Sequence, residues 1–223
     1  MRSFPLRWSH RALRIGARAV ALLAFMSLVA TTTHAAGSCP GSNQDKALEL
    51  VKKTTDELFA AVNAYPGKLS DNSAKARELV DTYITPHVDL EGSSRLVLGK
   101  YWRDATPAQR TEFLGQFHQL ILRTYATAVT SYTGIEIQYL PMRDEGRENF
   151  ATVRTVIPRP DGDGVKVDYR LHCRDDVWRL FDVTIAGVSM VTTYRTSFSA
   201  EIRKSGIDGL IKVLEQKNKE VGA

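Results

Sequence analysis

Residues 98–139 read LGKYWRDATPAQRTEFLGQFHQLILRTYATAVTSYTGIEIQY, and the spacing of apolar residues changes inside them, at Gly134. Before that glycine, Phe113, Phe117, Leu120, Ile121, Tyr125, Ala128, Val129 and Tyr132 recur three and four apart, which makes one apolar stripe on a helix. Arg110, Glu112, Gln116, Gln119 and Arg123 fall on the other side. Thr106-Pro107-Ala108-Gln109 supplies the start: a capping hydroxyl, a proline in the first turn and a glutamine placed for a capping box. Gly134 suits the end. Such a helix of about 27 residues would run roughly 40 Å. After Gly134, Ile135, Ile137 and Tyr139 alternate with Glu136 and Gln138, and the period of two predicts a strand.

The same change divides the rest of the chain. Downstream, a polar turn at 143–148 leads to a second strand over 149–157, and Pro158 to Gly164 is turn chemistry. In the third strand Val165, Val167, Tyr169, Leu171 and Cys173 share one face, while Lys166, Asp168, Arg170, His172 and Arg174 share the other. Asp175-Asp176 makes a hairpin, and 177–186 is a fourth strand, apolar on both faces. Helices over 189–204 and 207–217 follow, separated by Ser205-Gly206. Upstream, helices are predicted over 44–64 and 73–84, with a shorter piece at 88–98. Helices, a meander and helices again mean α+β. The expected fold is a twisted four-stranded antiparallel sheet covered by helices.

The N-terminus has the form of a secretory signal peptide. Arg2, Arg7, Arg11, Arg14 and Arg18 precede the twelve-residue apolar run Ala19–Ala30, and Thr33-His34-Ala35 resembles a cleavage site. Without an Arg-Arg pair it fits general secretion rather than twin-arginine export. Residues 1–35 are therefore expected to be signal peptide, and 36–223 one domain. Five of the 30 Lys and Arg lie in that leader, so the remaining chain balances its 25 Asp and Glu. The net charge of +5 belongs to the leader, and a nucleic-acid partner loses its electrostatic support. Cys39 and Cys173 can pair in an oxidising compartment, for roughly 4–5 kcal/mol by loop entropy. The bridged and the free-thiol forms both stay open.

Catalytic and metal-binding patterns are missing. His87, His118 and His172 lack metal-ligand spacing. Gly187-Val188-Ser189-Met190-Val191 has no second glycine for a nucleophile elbow, so Ser189 reads as a helix cap. No phosphate-binding glycine loop follows a strand. Asp182 is preferred as a structural carboxylate over a buried base. No metal or cofactor is expected, and an apolar interior without a catalytic set suggests that the domain carries something apolar.

Two blocks carry a resemblance. The first is Leu98-Gly99-Lys100-Tyr101-Trp102-Arg103 with Thr106, Gln109-Arg110, Phe113, Phe117 and Thr124-Tyr125. The second is Asp182-Val183, Gly187-Val188-Ser189-Met190-Val191, Tyr194-Arg195, Phe198 and Gly206 to Ile211 with Leu214. Over about residues 44–217 the chain resembles the MlaC-type periplasmic phospholipid-binding proteins of the Mla pathway, also called toluene-tolerance proteins, which include a hopanoid-associated branch. It departs at Ala186, where that family often has an acidic residue.

The resemblance implies a nuclear-transport-factor-2-like (NTF2-like) cone with an apolar cavity, and a periplasmic carrier rather than an enzyme. The carrier would enclose phospholipid acyl chains and shuttle lipid between membrane complexes to maintain outer-membrane asymmetry. The implied partners are phospholipid, the substrate-binding subunit of an inner-membrane ABC transporter and an outer-membrane lipoprotein–porin complex, with the carrier a monomer. The cavity-lining candidates on the long helix are Phe113, Phe117, Ile121 and Tyr125. Those on the strands are Val153, Val167, Tyr169, Leu171, Val183 and Ile185, followed by Val188 and Met190. Other readings stay open: a hopanoid-like cargo, an NTF2-like enzyme using Asp182 and a tyrosine, or an exported adaptor.

Overall fold

The computed structural model describes residues 44–130, 135–159 and 162–220. The leader, Cys39, Gly134 and the centre of the Pro158–Gly164 turn lie outside them.

Helix α1 (Gln44–Ala64) ends where Tyr65-Pro66-Gly67 cannot continue it. Helix α2 (Ser73–Tyr83) is capped by Asn72, whose side chain accepts from the Lys75 amide at 3.0 Å. A 3₁₀ turn, Thr85–His87, follows, and then α3 (Leu90–Leu98), capped by Asp89 on the Gly92 amide. The aromatic run forms a one-turn helix, α4 (Tyr101–Asp104). The long helix is α5 (Pro107–Thr130), and its capping box is reciprocal. The Gln109 amide donates to the Thr106 hydroxyl at 3.2 Å, and the Thr106 amide donates to the Gln109 side chain at 2.9 Å. The last helix, α6 (Met190–Glu220), is capped by Ser189 and carries a non-helical Gly206 (φ 74°), at the expected break.

The sheet is an antiparallel meander in the order β1-β2-β3-β4-β5: β1 (Gln138–Tyr139), β2 (Phe150–Arg159), β3 (Gly162–Arg174), β4 (Val177–Ile185) and β5 (Val188–Ser189). It has five strands, not the expected four. Ala186 (φ 49°) and Gly187 (φ 85°) turn the chain back, so that Ile185 pairs with Val188 and Thr184 with Ser189. A strand of two residues has no periodicity to detect, and Ser189 both closes it and caps α6. The Asp175-Asp176 hairpin has φ of 52° and 59°, a conformation aspartate tolerates better than most residues.

Alternation along β2 is clean: Ala151, Val153, Thr155 and Ile157 are buried, and the residues between them are half-exposed. On the buried face, Ala47 and Val51 of α1 pack against Ala151, Val153, Leu171, Cys173 and Trp178. Cys173 is disulfide-bonded, and the only other cysteine in the sequence is Cys39. A second apolar cluster joins α3 to α6, with Phe113, Phe117, Trp102 and Phe198 at its centre. A third joins α1, α2 and α5 through Leu58, Leu79, Val80, Leu122 and Ala126.

Candidate functional site

A register shift in β4 shapes the site. Leu171 pairs with Leu180, but Tyr169 pairs with Val183, so the pairing slips by one residue between them. Leu171 and Tyr169 lie two apart on one face of β3. Leu180 and Val183, three apart, therefore share that face as well, which plain alternation forbids. The Phe181 ring instead meets Phe150 and His172 at 6.0 and 5.7 Å.

The shifted segment holds two helix starts. The Asp89 amide donates to the Leu180 carbonyl at 2.8 Å, and the Ser93 hydroxyl to the Phe181 carbonyl at 2.8 Å. His172 meets the Asp89 carboxylate at 2.7 Å. Burial alone would raise the Asp89 pKa, but the Gly92 amide and His172 outweigh it and hold the carboxyl below its ordinary value. At α6, Asp182 accepts from the Ser189 hydroxyl at 2.7 Å and from the Val191 amide at 3.0 Å, with Arg170 at 3.3 Å. Its side chain is 1% exposed. Both carboxylate oxygens are thus engaged, and Asp182 is the structural carboxylate expected. An acid–base role would need one of them free to face a ligand.

Between β4 and the helices lies a predominantly apolar pocket of about 140 Å³. Leu180 and Val183 form the sheet side; Phe117, Ile121 and Leu122 line it from α5; Met190, Val191 and Tyr194 line it from α6. Val80, Ile84, Val88 and Leu90 close the side toward α2 and α3. Polar groups at the wall are mostly engaged with one another. His118 Nε2 stands 3.2 Å from the Thr85 hydroxyl and 3.1 Å from an Asp81 oxygen. The Tyr194 hydroxyl donates to that of Tyr125 at 3.4 Å, and burial raises its pKa strongly.

Of the candidates named from sequence, Phe117, Ile121, Val183 and Met190 line this pocket. Tyr125 reaches its wall through Tyr194. Phe113 sits deeper among the helices, stacked on Phe117 with ring centroids 5.5 Å apart. Val153 and Leu171 are buried beneath α1, with Tyr169 packed beside them and its phenol pushed up to about 12 by burial. Val167 is buried opposite Thr155, whereas Ile185 (37% exposed) and Val188 (60% exposed) stand at the outer turn. Leu180, Val191 and Tyr194 were not among the candidates. Met190, Val191, Tyr194 and Phe198 do form a helical stripe that points to the last two. Leu180 depends on the register shift, and alternation hides it.

Fold and pocket together define an α+β domain with an apolar recess between sheet and helices. The chain belongs to the MlaC protein family, whose model matches residues 52–216. It is 30% identical over 170 residues to the intermembrane phospholipid transport system binding protein MlaC of Haemophilus influenzae, covering 75% of this chain and 79% of that one. It is 25% identical over 162 residues to the toluene tolerance protein ttg2D of Pseudomonas putida, covering 72% and 74%. A solved structure of the phospholipid-binding protein from Ralstonia solanacearum, in complex with a phospholipid, is similar with a TM-score of 0.72 and 28% identity. The match covers 78% of this chain and 98% of that one. The Haemophilus influenzae and Ralstonia solanacearum proteins are named for phospholipid transport or binding, not for a reaction.

Proposed function

We propose that this protein is a soluble periplasmic carrier that encloses phospholipid acyl chains in the recess between β4, α5 and α6. The observation that carries the reading is the apolar pocket at that seam, in a fold shared with a relative solved with phospholipid bound. The energetics explain why a carrier is needed. A diacyl lipid has about 30 methylenes, and at ~0.8 kcal/mol each their exposure costs on the order of 25 kcal/mol. A protein moving such a molecule through water must enclose its chains, whereas the charged headgroup is best left in solvent.

The pocket of about 140 Å³ is smaller than the roughly 300–1,000 Å³ that buries a drug-sized ligand. Loading therefore requires the seam to widen, toward the NTF2-like cavity the resemblance implies. Residues 1–35 act as the export leader and are removed. In the periplasm the carrier exchanges lipid with an inner-membrane transporter and an outer-membrane complex, the arrangement that the relatives' transport-system name suggests.

Mature protein purified without detergent is expected to release phospholipid on denaturing extraction, identified by mass spectrometry at close to one molecule per chain. Repeated preparations without lipid, combined with no uptake from phospholipid vesicles, would sink the reading. A hopanoid or other apolar lipid in the extract would keep the carrier and replace the cargo.

A further inference from the structure

The wall of the recess is apolar except at a few places, and most of those are satisfied internally. His118, Thr85 and Asp81 engage one another, and Asp182 is held by Ser189, Val191 and Arg170. The hydroxyls of Tyr125 and Tyr194 differ. Their separation of 3.4 Å is long for a bond between hydroxyls, which favours about 2.7–2.8 Å. Tyr194 supplies the hydrogen, so the hydrogen of Tyr125 is not used in that bond. Thr124 is a hydrogen-bonding neighbour of Tyr194 and an exposed residue, while Tyr194 lines the pocket. The three hydroxyls therefore stand where the recess meets solvent.

The Tyr194 ring is also fixed in place. Phe117 meets it edge-on at 5.4 Å, and Phe198 packs at 5.3 Å with a 46° tilt. The Thr124 hydroxyl donates to the Leu120 carbonyl at 2.7 Å and lies within hydrogen-bonding reach of Tyr194. The result is a pair of phenol donors on a rigid aromatic base, loosely engaged with each other at the rim of an apolar pocket.

A lipid whose chains fill such a pocket places chemically defined groups at its rim. Directly above the acyl chains come the ester carbonyls, which accept hydrogen bonds and cannot donate them. They leave water as the chains enter, and each then needs a donor. We propose that the Tyr125–Tyr194 hydroxyl pair is the donor site for an ester carbonyl of the bound lipid and makes the carrier selective for ester-linked chains. This deepens, and rests on, the phospholipid-carrier reading. Burial raises the Tyr194 pKa, so that phenol keeps its hydrogen at ordinary pH.

The test compares diester phosphatidylglycerol with its diether analogue, which has the same headgroup and chain lengths but no carbonyls. Delipidated mature protein is titrated with each, as the wild type, as the single Tyr125→Phe and Tyr194→Phe variants, and as the double variant. The wild type should bind the diester roughly three- to tenfold more tightly, the worth of one net hydrogen bond. The double variant should bind both lipids alike, at the wild-type affinity for the diether. Equal binding of both lipids by the wild type, or a preference that survives in the double variant, would overturn the proposal. So would a double variant that loses both lipids equally, since the phenols would then serve only packing. A wild type that binds neither lipid would overturn the carrier reading itself, and this inference with it.

Discussion

Asp182 shows how one buried side chain can order a site through its hydrogen bonds. Its carboxylate ties the Ser189 hydroxyl and the Val191 amide to β4, and so aims Met190, Val191 and Tyr194 at the recess. Replacing Asp182 with Ala strands those donors, and hydrogen bonds to a charged group contribute about 1.5–3 kcal/mol. We expect Asp182→Ala to lower the urea-unfolding free energy by about 2–3 kcal/mol; an unchanged midpoint would contradict this role. Asp89 makes a different prediction. Its folded pKa lies below its ordinary value of 3.8, so the folded state resists protonation there. A depressed carboxyl contributes stability above its unfolded pKa and loses it as pH falls through the folded value. Wild-type stability should therefore fall with acidification below about pH 4, and Asp89→Asn should show a shallower fall. Urea midpoints at pH 7 and pH 3 measure the difference, and parallel slopes would count against it.

At the scale of elements, glycines of opposite role can be told apart. Gly99 ends α3 with φ 56° and ψ −122°, and an added Cβ would lie 3.1–3.3 Å from the Arg195 guanidinium. Gly115 lies within α5 with nothing within 4 Å of an added Cβ. Gly99→Ala should cost about 1–2 kcal/mol, because a side chain disfavours positive φ. Gly115→Ala should instead stabilise by about 0.5–1 kcal/mol through helix propensity. Thermal unfolding of the two variants should shift in opposite directions. Both effects follow from local rules, as do the capping box of α5, the Ser189 cap and the break at Gly206, and all three were legible in the sequence. The fifth strand and the β4 register shift were not. Two residues carry no period, and a bulge is visible only once the partner strand's register is known. Four pocket residues could be named because they sit on regular stripes, whereas Leu180 could not. Val153, Leu171 and Phe113 have the right chemistry for a cavity wall, but α1 and the helical cluster cover them.

The whole molecule joins an apolar sheet face to its helices at two kinds of seam. One is sealed by α1 over Val153, Leu171 and Trp178, beside the disulfide-bonded Cys173. The other, between β4, α5 and α6, retains the pocket. Pairing of Cys173 with Cys39 would leave no free thiol in the denatured, unreduced protein. A thiol titration should read zero before reduction and two after it, and two reactive thiols before reduction would exclude the bridge. Among the described residues no helix is long and apolar enough to cross a membrane. Acyl chains are proposed to enter at this seam. A crystal structure of the mature protein loaded with phospholipid brominated along its acyl chains tests it most directly. Anomalous bromine peaks are expected between β4, α5 and α6, in contact with Phe117, Ile121, Val183 and Met190. Peaks confined to the outer face of the sheet, or beneath α1, would contradict it.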